Sequence, residues 1–127
     1  MARRASNQVL SKIKMQKEQR KVEQTKARYE LSCGAIIFHL DKGTPYYLLL
    51  KYPTYWGFVK GIVEPGETEE QTISREAAEE ASIYDLRIVP HFREVQRYFY
   101  KMKGQLIRKE AVFFLAQTAS WKVKISH

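Results

Sequence analysis

Cysteine is almost absent from the 127 residues: Cys33 stands alone, so no intramolecular disulfide can form. The three histidines and this one thiol show no ligand spacing for zinc. Cys33 lies in an apolar run with no cation beside it to stabilise a thiolate, so it reads as a buried small hydrophobe. Nowhere do about 18 apolar residues run uninterrupted, and Met1-Ala2-Arg3-Arg4 leads into lysines and glutamines instead of an apolar signal core. The expected picture is therefore soluble and cytoplasmic, with no membrane partner. Glycine and proline are scarce, at six and four, and neither occurs between Ser6 and Arg28. At 127 residues and 44% hydrophobic composition, the chain has material for one core but not for two.

Basic residues exceed acidic ones by eight, and the excess is unevenly placed. Residues 1–30 hold nine Lys/Arg against three Glu, which is +6 of the +8; the rest of the chain is nearly balanced. The basicity is thus an N-terminal property, separate from any chemistry in the body. Residues 1–28 read as a basic helical arm, with Val9, Leu10, Ile13, Met15 and Val22 too thin a stripe for a core helix. It is expected to be a largely solvated extension that touches the body near Val9 to Ile13 at most, with an arm that binds nucleic acid or a partner as the alternative.

The character changes at Tyr29. Leu31–Leu40 and Tyr46–Tyr52 are apolar, β-branched or aromatic runs separated by Asp41-Lys42-Gly43-Thr44-Pro45, which predicts a hairpin. Gly61 to Gly66 contains two glycines and a proline and reads as a loop. Thr68 is placed to cap a helix over Glu69–Ser82. Leu86–Lys101 and Leu106–Thr118 then read as two strands joined by a tight turn at Met102-Lys103-Gly104-Gln105. Strands, one helix, then strands again imply an α+β protein, an α/β/α sandwich around a mixed sheet.

Within that helix Glu76, Glu79 and Glu80 fall at i, i+3 and i+4, inside an arc of roughly 100°. Ile73, Ala77 and Ala81 form an apolar stripe beside them. Like charges at the edge of a buried face repel most, and a cation there compensates most. From the helix alone two readings stand: a solvated acidic face, or a site of hard oxygen ligands for Mg²⁺ or Mn²⁺.

The loop before the helix separates them. Gly61, five residues, Glu67, seven residues, then Arg75-Glu76-Ala77-Ala78-Glu79-Glu80 resembles the signature of the Nudix hydrolase family. Six fixed positions match, a coincidence on the order of 10⁻⁷ at ordinary residue frequencies. The resemblance implies a Nudix domain over 29–127 and metal-dependent hydrolysis of a phosphoanhydride bond in a nucleoside-diphosphate-linked substrate. It implies cation ligation by Glu76, Glu79, Glu80 and the Gly61 carbonyl, a Glu67–Arg75 pair fixing loop to helix, and a catalytic base at Glu79 or Glu80. The family's usual glycine after Glu80 is replaced within Ala81-Ser82-Ile83; at positive φ, serine there costs about 1 kcal/mol.

Tyr55 to Glu67, Cys33–Phe38, Leu48–Leu50 and Lys109–Ala116 look like the subgroup that cuts diadenosine tetraphosphate asymmetrically, although Val59 stands where many such relatives carry proline. That likeness implies phosphate contacts from Lys60 and Lys109, adenine stacking on Tyr98, and further basic lining from Lys103, Arg93, Lys101 and Arg108. The hairpin charges also fit a plain solvated face. The family usually continues past the point where Trp121–His127 ends the chain, so a shortened C-terminus is expected. Nucleoside triphosphate or RNA 5′-end hydrolysis, and nucleotide binding without cleavage, stand as alternatives.

Overall fold

The computed structural model describes the backbone of residues 2–120 and the side chains of residues 8–20 and 26–120. The expectation of a shortened C-terminus falls on residues 121–127 and lies outside the described residues. Helix α1 (Ala2–Thr25) ends before the expected Arg28, because Arg28 already pairs with Ile107 as the first residue of strand β1 (Arg28–Asp41). Val9, Leu10, Ile13 and Met15 on α1 are all exposed, so the expected apolar contact near Val9 to Ile13 does not form. Four scattered apolar side chains bury too little surface to offset fixing them against a sheet.

β1 is the spine of a five-stranded mixed sheet. Along one edge it runs parallel to β7 (Gln105–Gln117), from Arg28↔Ile107 to Phe38↔Gln117, and β7 in turn pairs antiparallel with β6 (Arg87–Met102). The other edge of β1 is shared between β2 (Thr44–Tyr47) and β5 (Val59–Ile62). This sharing explains why the expected strand Tyr46–Tyr52 breaks. Continued pairing beyond Phe38↔Tyr47 would set Leu50 opposite Ala35, where Val59 sits. The chain departs after Leu48 donates to the Ile37 carbonyl, and β3 (Leu50–Lys51) pairs instead with β4 (Trp56–Gly57). Both hairpin turns, Lys42-Gly43 and Lys103-Gly104, carry positive φ at two successive residues, the geometry that matches strand twist in two-residue loops.

Helix α2 (Glu69–Ala81) starts in a reciprocal capping box: Thr68 Oγ1 accepts from Gln71 N at 3.1 Å while Gln71 Oε1 accepts from Thr68 N at 2.9 Å. Ile73, Ala77 and Ala81 are fully buried against Cys33, Ala35, Ile37 and Val112 of the sheet. Small alanines let the helix lie close on the strands, so that polar groups at its margin reach β5. The α+β class read from the order of elements is the class that forms.

The helix closes at Ser82 in the left-handed conformation, φ 55° and ψ 37°, with its N–H turned back to Ala78 and that of Ile83 to Ala77. Glycine adopts this backbone without Cβ strain. Ser82→Gly is expected to stabilise the protein by about 1 kcal/mol, raising Tm by about 5 °C. Differential scanning calorimetry checks it, and an unchanged or lowered Tm contradicts it.

Candidate active site

Arg75 organises the loop and helix around itself. Its Nε donates to Glu67 Oε2 at 2.7 Å and its Nη2 to Glu67 Oε1 at 3.0 Å, a two-pronged pair. Nη2 also reaches the Ile62 carbonyl at 3.0 Å, tying the helix to β5, and Nη1 donates to Glu76 Oε1 at 2.7 Å. Glu67 accepts in addition from Glu64 N and Thr72 Oγ1, at 2.9 and 2.8 Å. Donation from Arg75 and from the Glu64 backbone holds the Glu67 carboxyl down at about 2, so it stays charged throughout the physiological range.

Gly61 has a steric reason to be glycine: a β-carbon there would overlap the Glu76 carboxylate. Removing that one carbon lets Glu76 lie against the strand, its side chain only 12% exposed. Glu80 is the second acid of the cluster. Burial and then the neighbouring Glu76 push its carboxyl up to about 7, against a smaller stabilising contribution from the Lys60 backbone N–H and the Tyr52 hydroxyl. Tyr52 Oη lies 3.4 Å from Glu80 Oε2 and is itself raised to about 12, chiefly by burial. Glu79 points outward, 61% exposed, with Oε2 3.4 Å from Arg75 Nη1.

Among the described residues no three acidic, histidine or cysteine groups converge on one point. The donor set nevertheless fits a hard divalent cation: two carboxylates are pressed together without a counter-charge between them, and oxygen is the only ligand type offered. Glu79 stands apart from this pair, against Arg75 Nη1.

The expected substrate contacts are dispersed. Lys60 adjoins Gly61, but side chains alternate along a strand, so where Gly61 faces Glu76, Lys60 faces the other side of β5. There it lines a cavity of about 540 Å³ with Tyr55, Trp56, Phe58 and Phe113. Lys109 is buried and engaged, its Nζ donating to Glu30 Oε1 and Ser32 Oγ, while Tyr100 Oη donates to the same Glu30 oxygen at 3.0 Å. Tyr98 pairs with Lys109 across β6 and β7, four residues or about 13 Å along the sheet from the Phe113 row that leads to Lys60. Lys103 lies in the hairpin turn, about 30 Å along β7 from that row. Arg93 pairs with Glu69 at 3.0 and 2.8 Å, and Arg108 stacks on Tyr29. The structure thus brings together Gly61, Glu67, Arg75, Glu76, Glu79 and Glu80, places Lys60 on the reverse side, gathers Tyr98, Lys109 and Arg108 around a separate cavity of about 310 Å³, and leaves Lys103 in its turn. Sequence reasoning missed Tyr52 beside Glu80 and the aromatic cavity around Trp56; the run Tyr52 to Phe58 was the available signal.

Fold and site together define an α+β protein with an acidic, oxygen-donor centre clamped between one helix and an edge strand. Residues 29–127 match the family model described as NUDIX domain. An asymmetrical bis(5′-nucleosyl)-tetraphosphatase of Mus musculus is 32% identical over 105 residues, covering 74% of this chain and 69% of the relative. One of Caenorhabditis elegans is 34% identical over 89 residues, covering 68% and 63%. The crystal structure of a C. elegans Ap4A hydrolase binary complex superposes with a TM-score of 0.63 at 35% identity, covering 77% of this chain and 73% of that one. The chain belongs to the Nudix family and is a Nudix hydrolase, of a kind that generally uses divalent metals.

Removing the Glu80 charge isolates the carboxylate repulsion. Below pH 4.5 the group is protonated folded and unfolded; between 4.5 and about 7 the unfolded chain ionises first, so stability falls as pH rises through that window and stays lower above it. With EDTA present, Glu80→Gln is expected to exceed the parent protein by about 1–3 kcal/mol at pH 8 and to match it within about 0.5 kcal/mol at pH 4.5. Urea unfolding at the two pH values measures both, and a difference independent of pH contradicts the assignment. Gly61→Ala is expected to push the Glu76 carboxylate off the strand and break its bond to Arg75; a crystal structure of the variant with Glu76 still bonded to Arg75 Nη1 would contradict the contact.

Proposed function

We propose that the protein hydrolyses a phosphoanhydride bond of a dinucleoside polyphosphate such as diadenosine tetraphosphate, with Mg²⁺ or Mn²⁺ held by Glu76, Glu79, Glu80 and the Gly61 carbonyl. The observation that carries this reading is the Glu76–Glu80 pair packed under Gly61, a costly arrangement that a divalent cation converts into a favourable one. The relatives at 32–34% identity bearing the asymmetrical tetraphosphatase name support the substrate class. A bound cation of this kind neutralises phosphate oxygens and makes water a better nucleophile.

The chain's own residues divide the remaining work. Arg75, held by Glu67 and the Ile62 carbonyl, fixes the orientation of Glu76 and sets the helix height over β5. Glu79 is the better placed of the two candidate bases. Its carboxylate is exposed and loosely held at 3.4 Å, so it can accept a proton from an attacking water and pass it to solvent. Glu80 is enclosed by Tyr52, Lys60 N–H and Glu76 and serves as ligand. Lys60, on the cavity side of an edge strand, contacts the polyphosphate where it passes over that edge. The solvated basic arm leaves room for a longer nucleic acid substrate, and the same assay tests it.

Product analysis with Mg²⁺ on diadenosine tetraphosphate, ATP and 5′-triphosphate RNA is expected to show ATP and AMP from the first as the fastest reaction. Faster turnover of either other substrate would redirect the reading. Glu79→Gln is expected to lower kcat by about 10²-fold or more with an unchanged Tm. A kcat within threefold of the parent would remove Glu79 from proton transfer.

A further inference from the structure

The cavity beside Lys60 contains two polar side chains to which no role has yet fallen. Glu94 and Gln96, on β6, line it together with Trp56 and Phe113. Among the described residues neither side chain has a hydrogen-bond or ion-pair partner. Their positions follow from register. Lys60 pairs with Gly34, Gly34 with Phe113, and Phe113 with Glu94, so the four form one row across β5, β1, β7 and β6. Three strand spacings separate its ends, about 14 Å. The row offers a cation at one end, an aromatic floor in the middle and a carboxylate at the other end. Gly34 keeps that floor low: a β-carbon there would come within 2.7 Å of the Val59 carbonyl and 2.9 Å of the Phe113 ring. Cation, flat apolar surface and acceptor follow the order of phosphate, sugar and base in a nucleotide.

The chemistry of the two free side chains specifies the base. A carboxylate only accepts hydrogen bonds, and a carboxamide both donates and accepts. Glu94 and Gln96 are two residues apart on one strand, about 7 Å between Cα atoms, and their side chains share one cavity. Guanine presents O6 as an acceptor followed by N1–H and N2–H as donors. Gln96 donating to O6 with Glu94 accepting from N1–H and N2–H satisfies that whole edge. Adenine presents one donor and one acceptor, which Gln96 alone can satisfy. Glu94 would then be desolvated against the base with nothing to accept from, a costly loss for a charged group. His91, at φ 68° in the β6 irregularity between Ile88 and Arg93, marks where the strand is re-aimed just before Phe92 and Glu94 enter the cavity.

We propose that this cavity holds a nucleobase and that Glu94, with Gln96, makes guanine its preferred occupant. The inference rests on the reading that the substrate is a dinucleoside polyphosphate, and it moves the preferred base from the adenine named there to guanine. Two measurements separate its failure from the failure of that reading. Calorimetric titration with GMP and AMP in EDTA needs no turnover. GMP is expected to bind at least fivefold tighter than AMP, and Glu94→Gln is expected to cut that ratio at least fivefold. The ratio of kcat/KM for diguanosine over diadenosine tetraphosphate with Mg²⁺ is expected to fall by the same factor in Glu94→Gln. A smaller fall in the binding ratio overturns the assignment of Glu94 even if both tetraphosphates are cleaved. A Glu94-dependent binding preference in a protein that cleaves neither tetraphosphate sustains the pocket and overturns the dinucleoside tetraphosphate reading.

Discussion

Everything at the acidic centre depends on how the Arg75 guanidinium is shared. It makes two bonds to Glu67 of the loop, one to the Ile62 carbonyl of β5 and one to Glu76 of its own helix. A lysine in its place would supply a point charge without the planar fork that spans three structural elements. The geometry also limits what Arg75 can compensate. It neutralises Glu67 and part of Glu76 but does not reach Glu80, which is left with a raised pKa beside a buried neighbour. The residual negative charge is therefore concentrated at the Glu76–Glu80 pair.

That concentration is bought by backbone economy on both sides. Gly61 removes the one carbon that would keep Glu76 from the strand, and Ala77 and Ala81 let α2 settle on Cys33, Ala35 and Ile37. Ser82 then ends the helix in a backbone conformation that strains a side chain. The strain sits one turn from the carboxylates, where the N–H groups of Ser82 and Ile83 still satisfy the carbonyls of Ala78 and Ala77, so it weakens the fold without deforming the site.

Local patterns in the sequence carried much of this. Thr68 with Gln71 marks the helix start, the two Lys-Gly turns mark the hairpins, and the loop-to-helix spacing from Gly61 to Glu80 marks the acidic centre. What was not legible depends on partners distant in the chain. Tyr46 to Tyr52 has the composition of one strand, yet it breaks because Val59 competes for Ala35, a contest no local window reveals. Lys109 looks like a ligand for phosphate until parallel pairing sets it beside Glu30, 79 residues away. Its ammonium is bonded to Glu30 and Ser32, with Tyr100 on the same Glu30 oxygen, so its charge is already paired inside the protein.

The sheet thereby assigns opposite duties to its two faces. On the α2 side the acidic centre gathers around Gly61; on the reverse, the aromatic cavity gathers around Lys60, one residue earlier. Alternation along β5 turns adjacent residues to different faces, and its edge away from β1 is held by the acidic centre itself, Arg75 at the Ile62 carbonyl and Glu80 at the Lys60 N–H. The two faces stay coupled through more than β5: Arg93 of β6 holds Glu69 at the start of α2, and Val112 of β7 packs beneath that helix.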